Sequence, residues 1–253
     1  GLIAAWLTFW LARAVAPPVT AFAASALLAG TLLLSAASII ATTDAVLLAT
    51  IVGAQGVLLR AYLATRDPAR PPLPWAIALA GWAAIGVGIL VKGPVTPGVC
   101  ILTAAVLSLW DRDGGWLRAT RPLAGIGVLL LIVLPWLIAI WIQSHGAFFT
   151  QSLGNDFASK LAGGQETHGA PPGYYLALVS AALWPATLFL IPAIAFAVMR
   201  REAPAVRFLI VWAASVWVVA EIVPTKLPHY VLPAYPALTV LMALWISSEV
   251  TLK

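Results

Sequence analysis

Apolar runs of near-constant length, broken by short polar turns, set the pattern of this chain. A membrane-crossing helix needs about 20 apolar residues, with roughly 17 to 25 the usual range. On that rule the runs predict nine helices, near residues 1–13, 19–37, 44–63, 75–91, 94–110, 123–142, 173–198, 206–223 and 229–247. Turn chemistry separates them at Ala16-Pro17-Pro18, Asp67 to Pro72, Lys92-Gly93-Pro94 and Asp111 to Gly115. The fold class is all-α, a polytopic transmembrane helical bundle forming a single domain over 1–253. The first run, Gly1 to Ala12, lacks the positive start and small-residue cleavage site of a signal peptide. It reads as the truncated remainder of a transmembrane helix, so the chain is expected to be a fragment.

Composition agrees with the pattern. With 62% hydrophobic and 9% charged residues and a mean hydropathy of +0.99, the chain exceeds what a water-soluble domain buries. The net charge of +5 then reflects topology rather than nucleic acid, which is not an expected partner. One cysteine, Cys100, excludes an intrachain disulfide framework and a multi-cysteine metal site.

Charge alternates from turn to turn. Arg13 follows the first run, Arg60, Arg66 and Arg70 the third, Arg112, Arg118 and Arg121 the fifth, and Arg200, Arg201 and Arg207 the seventh. All ten arginines, with Lys253, thus fall on one side, and only Lys92, Lys160 and Lys226 on the other. The positive-inside rule makes the arginine side cytoplasmic. The opposite side carries all three histidines, His145, His168 and His229, together with Asp44, Asp156 and Glu166, and Glu221 just below it. Residues 143–173 form the long loop of that side, expected to be periplasmic in a bacterial inner membrane protein.

Asp44, at the start of the third run, suits a helix N-terminus and equally a carboxylate lining an outward cavity. Lys92, held between two runs by Gly93-Pro94, suits snorkelling or anion binding in equal measure. Gly81, Gly86 and Gly88 before it suit close helix packing. Glu166 and His168 are of metal-ligand type, but two ligands without a third make a weak signature for a divalent ion. Tyr174 and Tyr175 open the seventh run after Pro171-Pro172-Gly173. The stretch from Pro224 to Pro236 sets Lys226, His229, Tyr230 and Tyr235 among four prolines, which predicts a stiff, partly non-helical connection. A cationic, hydroxyl-bearing turn of that kind fits a lipid phosphate; the plainer reading is an interfacial loop with belt tyrosines.

Thr43-Asp44-Ala45, Lys92-Gly93-Pro94, His168-Gly169-Ala170-Pro171-Pro172-Gly173-Tyr174-Tyr175 and Thr225-Lys226-Leu227-Pro228-His229-Tyr230 occur in this order. In them the chain resembles the bacterial GT-C membrane glycosyltransferases, similar to 4-amino-4-deoxy-L-arabinose lipid A transferase and to protein O-mannosyltransferases. The resemblance implies transfer of a sugar from a polyprenyl-phosphate donor to a lipid, glycan or protein hydroxyl on the periplasmic face. It implies donor-phosphate binding by Lys92, Lys226, His229 and Tyr230, and an auxiliary catalytic role for Asp44. Glu166, His168, Tyr174 and Tyr175 would face the acceptor, with Glu166 and His168 the candidates for a divalent metal ion. The family's acidic motif in a large outer loop after its first helix has no counterpart here. The main base is therefore expected upstream, and the chain alone is expected to be inactive.

No P-loop or dinucleotide fingerprint points to a soluble nucleotide. A lipid or sugar transporter or flippase is the rival reading. It is disfavoured by span centres expected to be bare of polar groups and breaks. An O-antigen ligase or polymerase is chemically close.

Overall fold

In the computed structural model of the chain, residues 1–40, 42–145, 148 and 170–251 are described. Every regular element among them is helical. In chain order these are α1 (Leu2–Ala12), α2 (Pro18–Ala29), α3 (Leu32–Ile39), α4 (Asp44–Ala64), α5 (Trp75–Lys92), α6 (Val95–Asp111) and α7 (Pro122–Ser144). There follow α8 (Tyr174–Ala182), α9 (Leu190–Met199), α10 (Pro204–Ile222) and α11 (Tyr235–Thr251). Five helices are long and apolar enough to cross a membrane; two bent pairs and two shorter apolar helices account for the other four predicted segments. The protein is a multi-pass membrane protein, as the apolar pattern predicts.

Helix α4 is the centre of the bundle, with 72% of its spanning window buried, and it packs against α1, α5 and α6. Small residues make those approaches close. A Cβ on Gly56 would meet the Trp10 ring at 2.3 Å, and one on Gly81 would meet Val57 at 2.9 Å. By contrast α7, with 11% of its window buried, lies at the edge of the bundle with most of its surface exposed.

Two predicted spans are not straight. The second breaks at Gly30-Thr31, where α2 and α3 meet at 61°; the seventh breaks before Pro185, between α8 and the segment leading into α9, at 114°. Backbone groups freed inside a membrane must find protein partners. Here the breaks serve each other: the Leu32 N–H donates to the Trp184 carbonyl at 3.0 Å.

The span centres also carry polar groups, contrary to the sequence expectation. Midway along α4, Gln55 is fully buried and its Nε2 donates to Thr103 Oγ1 of α6 at 2.9 Å. One turn and a half nearer Asp44, the Thr50 and Thr96 hydroxyls lie 2.9 Å apart. These side chains bond one another across the α4–α6 seam, while Gln55 Oε1 is buried with no hydrogen-bond partner among the described residues. Breaks and polar centres therefore do not by themselves separate this fold from a transporter.

The ends of the helices divide the charges. At one end Asp111, the last residue of α6, accepts from Arg66 and Arg207 at 2.5 Å each and from the Tyr62 hydroxyl at 2.7 Å. The Arg60 guanidinium lies 3.6 Å above the Trp10 ring and bonds the Trp10 carbonyl. Several of the arginines read as topology signals are thus structural. At the far ends of α4, α5 and α10 lie Asp44, Lys92 and Glu221.

Candidate active site

Asp44 opens α4, and Lys92 closes α5. Each charge complements the helix terminus it occupies, a carboxylate where N–H groups are unpaired and an ammonium where carbonyls are. The cap position itself belongs to Thr43, so Asp44 is the first helical residue rather than the cap. Gly93, at φ +58°, then turns the chain directly into Pro94 and α6. That tight turn holds the Lys92 ammonium where it donates to Asp44 Oδ1 at 2.6 Å. The carboxylate side chain is 9% exposed and the lysine 35%. A lysine on the side otherwise poor in basic residues is thus explained by a partner 48 positions away in the chain.

His229 completes the cluster. The stretch from Pro228 to Ala234 is a 3-10 helix, and the preceding residues are extended, so the proline-rich connection is partly non-helical as expected. His229 Nε2 lies 3.9 Å from the same Asp44 oxygen, too long for a hydrogen bond but close enough for charge to be felt. The His229 and Tyr230 rings meet edge to face with centroids 5.0 Å apart, so the two side chains share one edge of the site. Among the described residues the Lys92 ammonium bonds Asp44 alone, which leaves two of its three donors for a ligand.

Lys226 is placed differently from the expectation of a donor ligand. It is 5% exposed, and its ammonium donates to the Ala220 carbonyl at 3.0 Å and to the Glu221 carbonyl, with Glu221 Oε2 at 3.5 Å. It caps the C-terminus of α10, and a phosphate would have to draw it away from three oxygens. Glu221 in turn accepts the N–H groups of Gly173 at 3.1 Å and Tyr175 at 3.3 Å, capping the start of α8. The pair thus ties the start of α8 to the C-terminal end of α10. Sequence reasoning gave Glu221 no role, since no local spacing joins it to Gly173.

Tyr175 is also structural. It is fully buried, donates to the Leu227 carbonyl at 3.1 Å, and lies under the Lys226 ammonium at 5.6 Å. A buried hydroxyl so engaged cannot face an acceptor, which corrects that expectation; half-buried Tyr174 packs against it edge to face at 5.0 Å. Glu166 and His168 lie outside the described residues. Among the described residues no three His, Cys, Asp or Glu side chains converge as metal ligands, and no step below is routed through a metal.

No known family model matches the chain. Over 175 residues it is 31% identical to an undecaprenyl phosphate-alpha-4-amino-4-deoxy-L-arabinose arabinosyl transferase of Pseudomonas paraeruginosa, covering 65% of this chain and 30% of that protein. A transferase of the same name, numbered 1, from Pseudomonas fluorescens is 30% identical over 163 residues, covering 63% and 29%. The crystal structure of ArnT from Cupriavidus metallidurans in the apo state superposes with a TM-score of 0.76 at 24% identity, covering 97% of this chain and 43% of that one. The same protein bound to undecaprenyl phosphate gives 0.76 at 23%, covering 97% and 44%. The chain has the GT-C membrane glycosyltransferase fold. The chain spans about 30% of the length of the curated relatives it matches. Within the GT-C fold the paired Asp44 and Lys92 and the neighbouring His229 form the polar end opposite the arginines.

Proposed function

We propose that the chain serves transfer of a sugar from a polyprenyl-phosphate donor to a hydroxyl of a lipid, glycan or protein acceptor. The reaction takes place at the periplasmic face of the inner membrane. The observation that carries this reading is the Lys92 ammonium, aimed by Asp44 and flanked by His229, with donors to spare at the mouth of a membrane bundle. Support comes from the relatives' names, which make aminoarabinose the sugar to test first.

The acceptor oxygen bonds to the anomeric carbon as the bond from that carbon to the phosphate oxygen breaks. The electron pair passes to the phosphate, whose growing charge needs donors already in place. Lys92 and His229 supply them, and Tyr230 borders the same edge. Asp44 aims the ammonium. Bonded to it at 2.6 Å, the carboxylate is a poor base, so the acceptor proton goes to another group. Lys226, Glu221 and Tyr175 keep the His229-Tyr230 turn and the start of α8 in register.

Two experiments test the proposal. In lipid nanodiscs the chain should bind undecaprenyl phosphate saturably and at least about tenfold more tightly than undecaprenol, since the site's donors address the phosphate. Equal binding of phosphate and alcohol would overturn it. For sidedness, Ser152→Cys should react with a membrane-impermeant maleimide in intact spheroplasts. The one native cysteine, Cys100, is buried and leaves a low background. Labelling only after lysis would place the loop on the cytoplasmic side.

A further inference from the structure

The arginine-bearing face holds a cavity that the transfer reaction does not use. It has a volume of about 230 Å³ and lies between the end of α4, the connection to α5 and the 3-10 turn Gly115–Thr120. Thr65, Leu73, Arg118 and Arg121 line it, with Pro72 and Ala119.

Arg118 is exposed and has no hydrogen-bond or ion-pair partner among the described residues. Arg121 Nε is buried with no acceptor, while its guanidinium lies 4.6 Å from the centre of the Trp75 ring. A buried guanidinium N–H without an acceptor is costly unless a ligand completes it. The carboxylates nearest in sequence are engaged elsewhere. Asp67 faces Arg70 at 3.4 Å, Asp111 holds Arg66 and Arg207, and Asp113 accepts the Gly115 N–H at 2.7 Å. Arg121 also stands at the N-terminus of α7, whose unpaired N–H groups add positive potential.

We infer that this cavity binds the headgroup phosphate of an anionic phospholipid. Two guanidinium groups suit a phosphodiester by paired N–H donors. Lipid rather than free phosphate is the occupant because Arg121 joins the cavity to the start of α7, the spanning helix with the least buried surface. Leu123 and Ile126 on its first turns are 89% and 45% exposed, and Leu73 and Pro72 offer an apolar wall. The site lies at the far end of α4 from Asp44 and does not rest on the transfer reading.

Native mass spectrometry of the full chain in detergent, titrated with phosphatidylglycerol or phosphatidylcholine, tests it. Phosphatidylglycerol should bind preferentially, and Arg118→Gln should weaken it roughly five- to tenfold, the loss of one charge-assisted contact. Arg118→Gln with Arg121→Gln should abolish the preference. Arg200→Gln, an exposed arginine on the same face outside the cavity, should bind as the parent does. Because Arg118 is exposed, its replacement leaves the fold intact, which the melting temperature checks. Equal weakening by Arg200→Gln would mean diffuse attraction and overturn the site, as would absence of preference. Displacement of the lipid by millimolar inorganic phosphate would overturn the lipid assignment.

Discussion

Lys92→Met will weaken undecaprenyl phosphate binding by roughly 10- to 100-fold, the worth of a hydrogen bond between charged groups. The substitution also strands Asp44, whose side chain is 9% exposed, so some loss of stability accompanies it. Asp44→Asn together with Lys92→Met removes both charges and separates the effects: the melting temperature should recover while binding stays weak. Lys226→Met should behave in the opposite way. Its ammonium serves carbonyls at the end of α10, so the loss should appear as about 2 kcal/mol of stability, with donor affinity changed less than about threefold. Isothermal titration and thermal melts on the four proteins decide the matter. A Lys226→Met chain of normal stability that no longer binds the donor would restore the paired-lysine reading of the sequence.

The contrast between the two lysines shows where sequence reading ends. Apolar run length placed all nine segments, since a helix must match a bilayer whatever its neighbours do. The arginine alternation assigned the two ends of the bundle, because charges cannot be left inside. The same logic marked Asp44, Lys92, His229 and Tyr230 as polar residues at one end. It could not tell that Lys92 pairs with Asp44 whereas Lys226 pairs with helix carbonyls. Those pairings depend on which helices are neighbours, and no local spacing records that. The two breaks escaped for a related reason. Gly30 and Pro185 are visible, but a continuous apolar run hides a bend whose freed backbone groups are satisfied by a distant segment. The resemblance sets Tyr175 toward the acceptor, whereas its burial and its bond to the Leu227 carbonyl depend on a segment 52 positions away.

Asp111→Asn is expected to be the most destabilising polar substitution on the arginine-bearing face. The carboxylate side chain is 8% exposed and joins α6 to Arg66 beyond α4 and to Arg207 in the first turn of α10. An amide presents one oxygen where two guanidinium groups and a tyrosine hydroxyl now share two. Breaking a buried pair in this way costs about 3 to 5 kcal/mol. Unfolding of the reconstituted protein in a denaturing detergent should show it. Asp67→Asn, whose partner Arg70 lies at 3.4 Å with both side chains well exposed, should change stability by less than about 1 kcal/mol. Similar effects from the two would mean that the Asp111 network is not a clamp.

The hydrogen bond from Leu32 to Trp184 bears on how the chain is made. Helices of a membrane protein enter the bilayer in order of synthesis, and a bare N–H within it has few partners. The acceptor for Leu32 is carried by a segment translated after four further spans. Until that segment arrives, the nascent second span must either stay straight, with Leu32 bonded inside one continuous helix, or wait near the interface. The bend between α2 and α3 therefore gains this acceptor only once the segment joining α8 to α9 is in place.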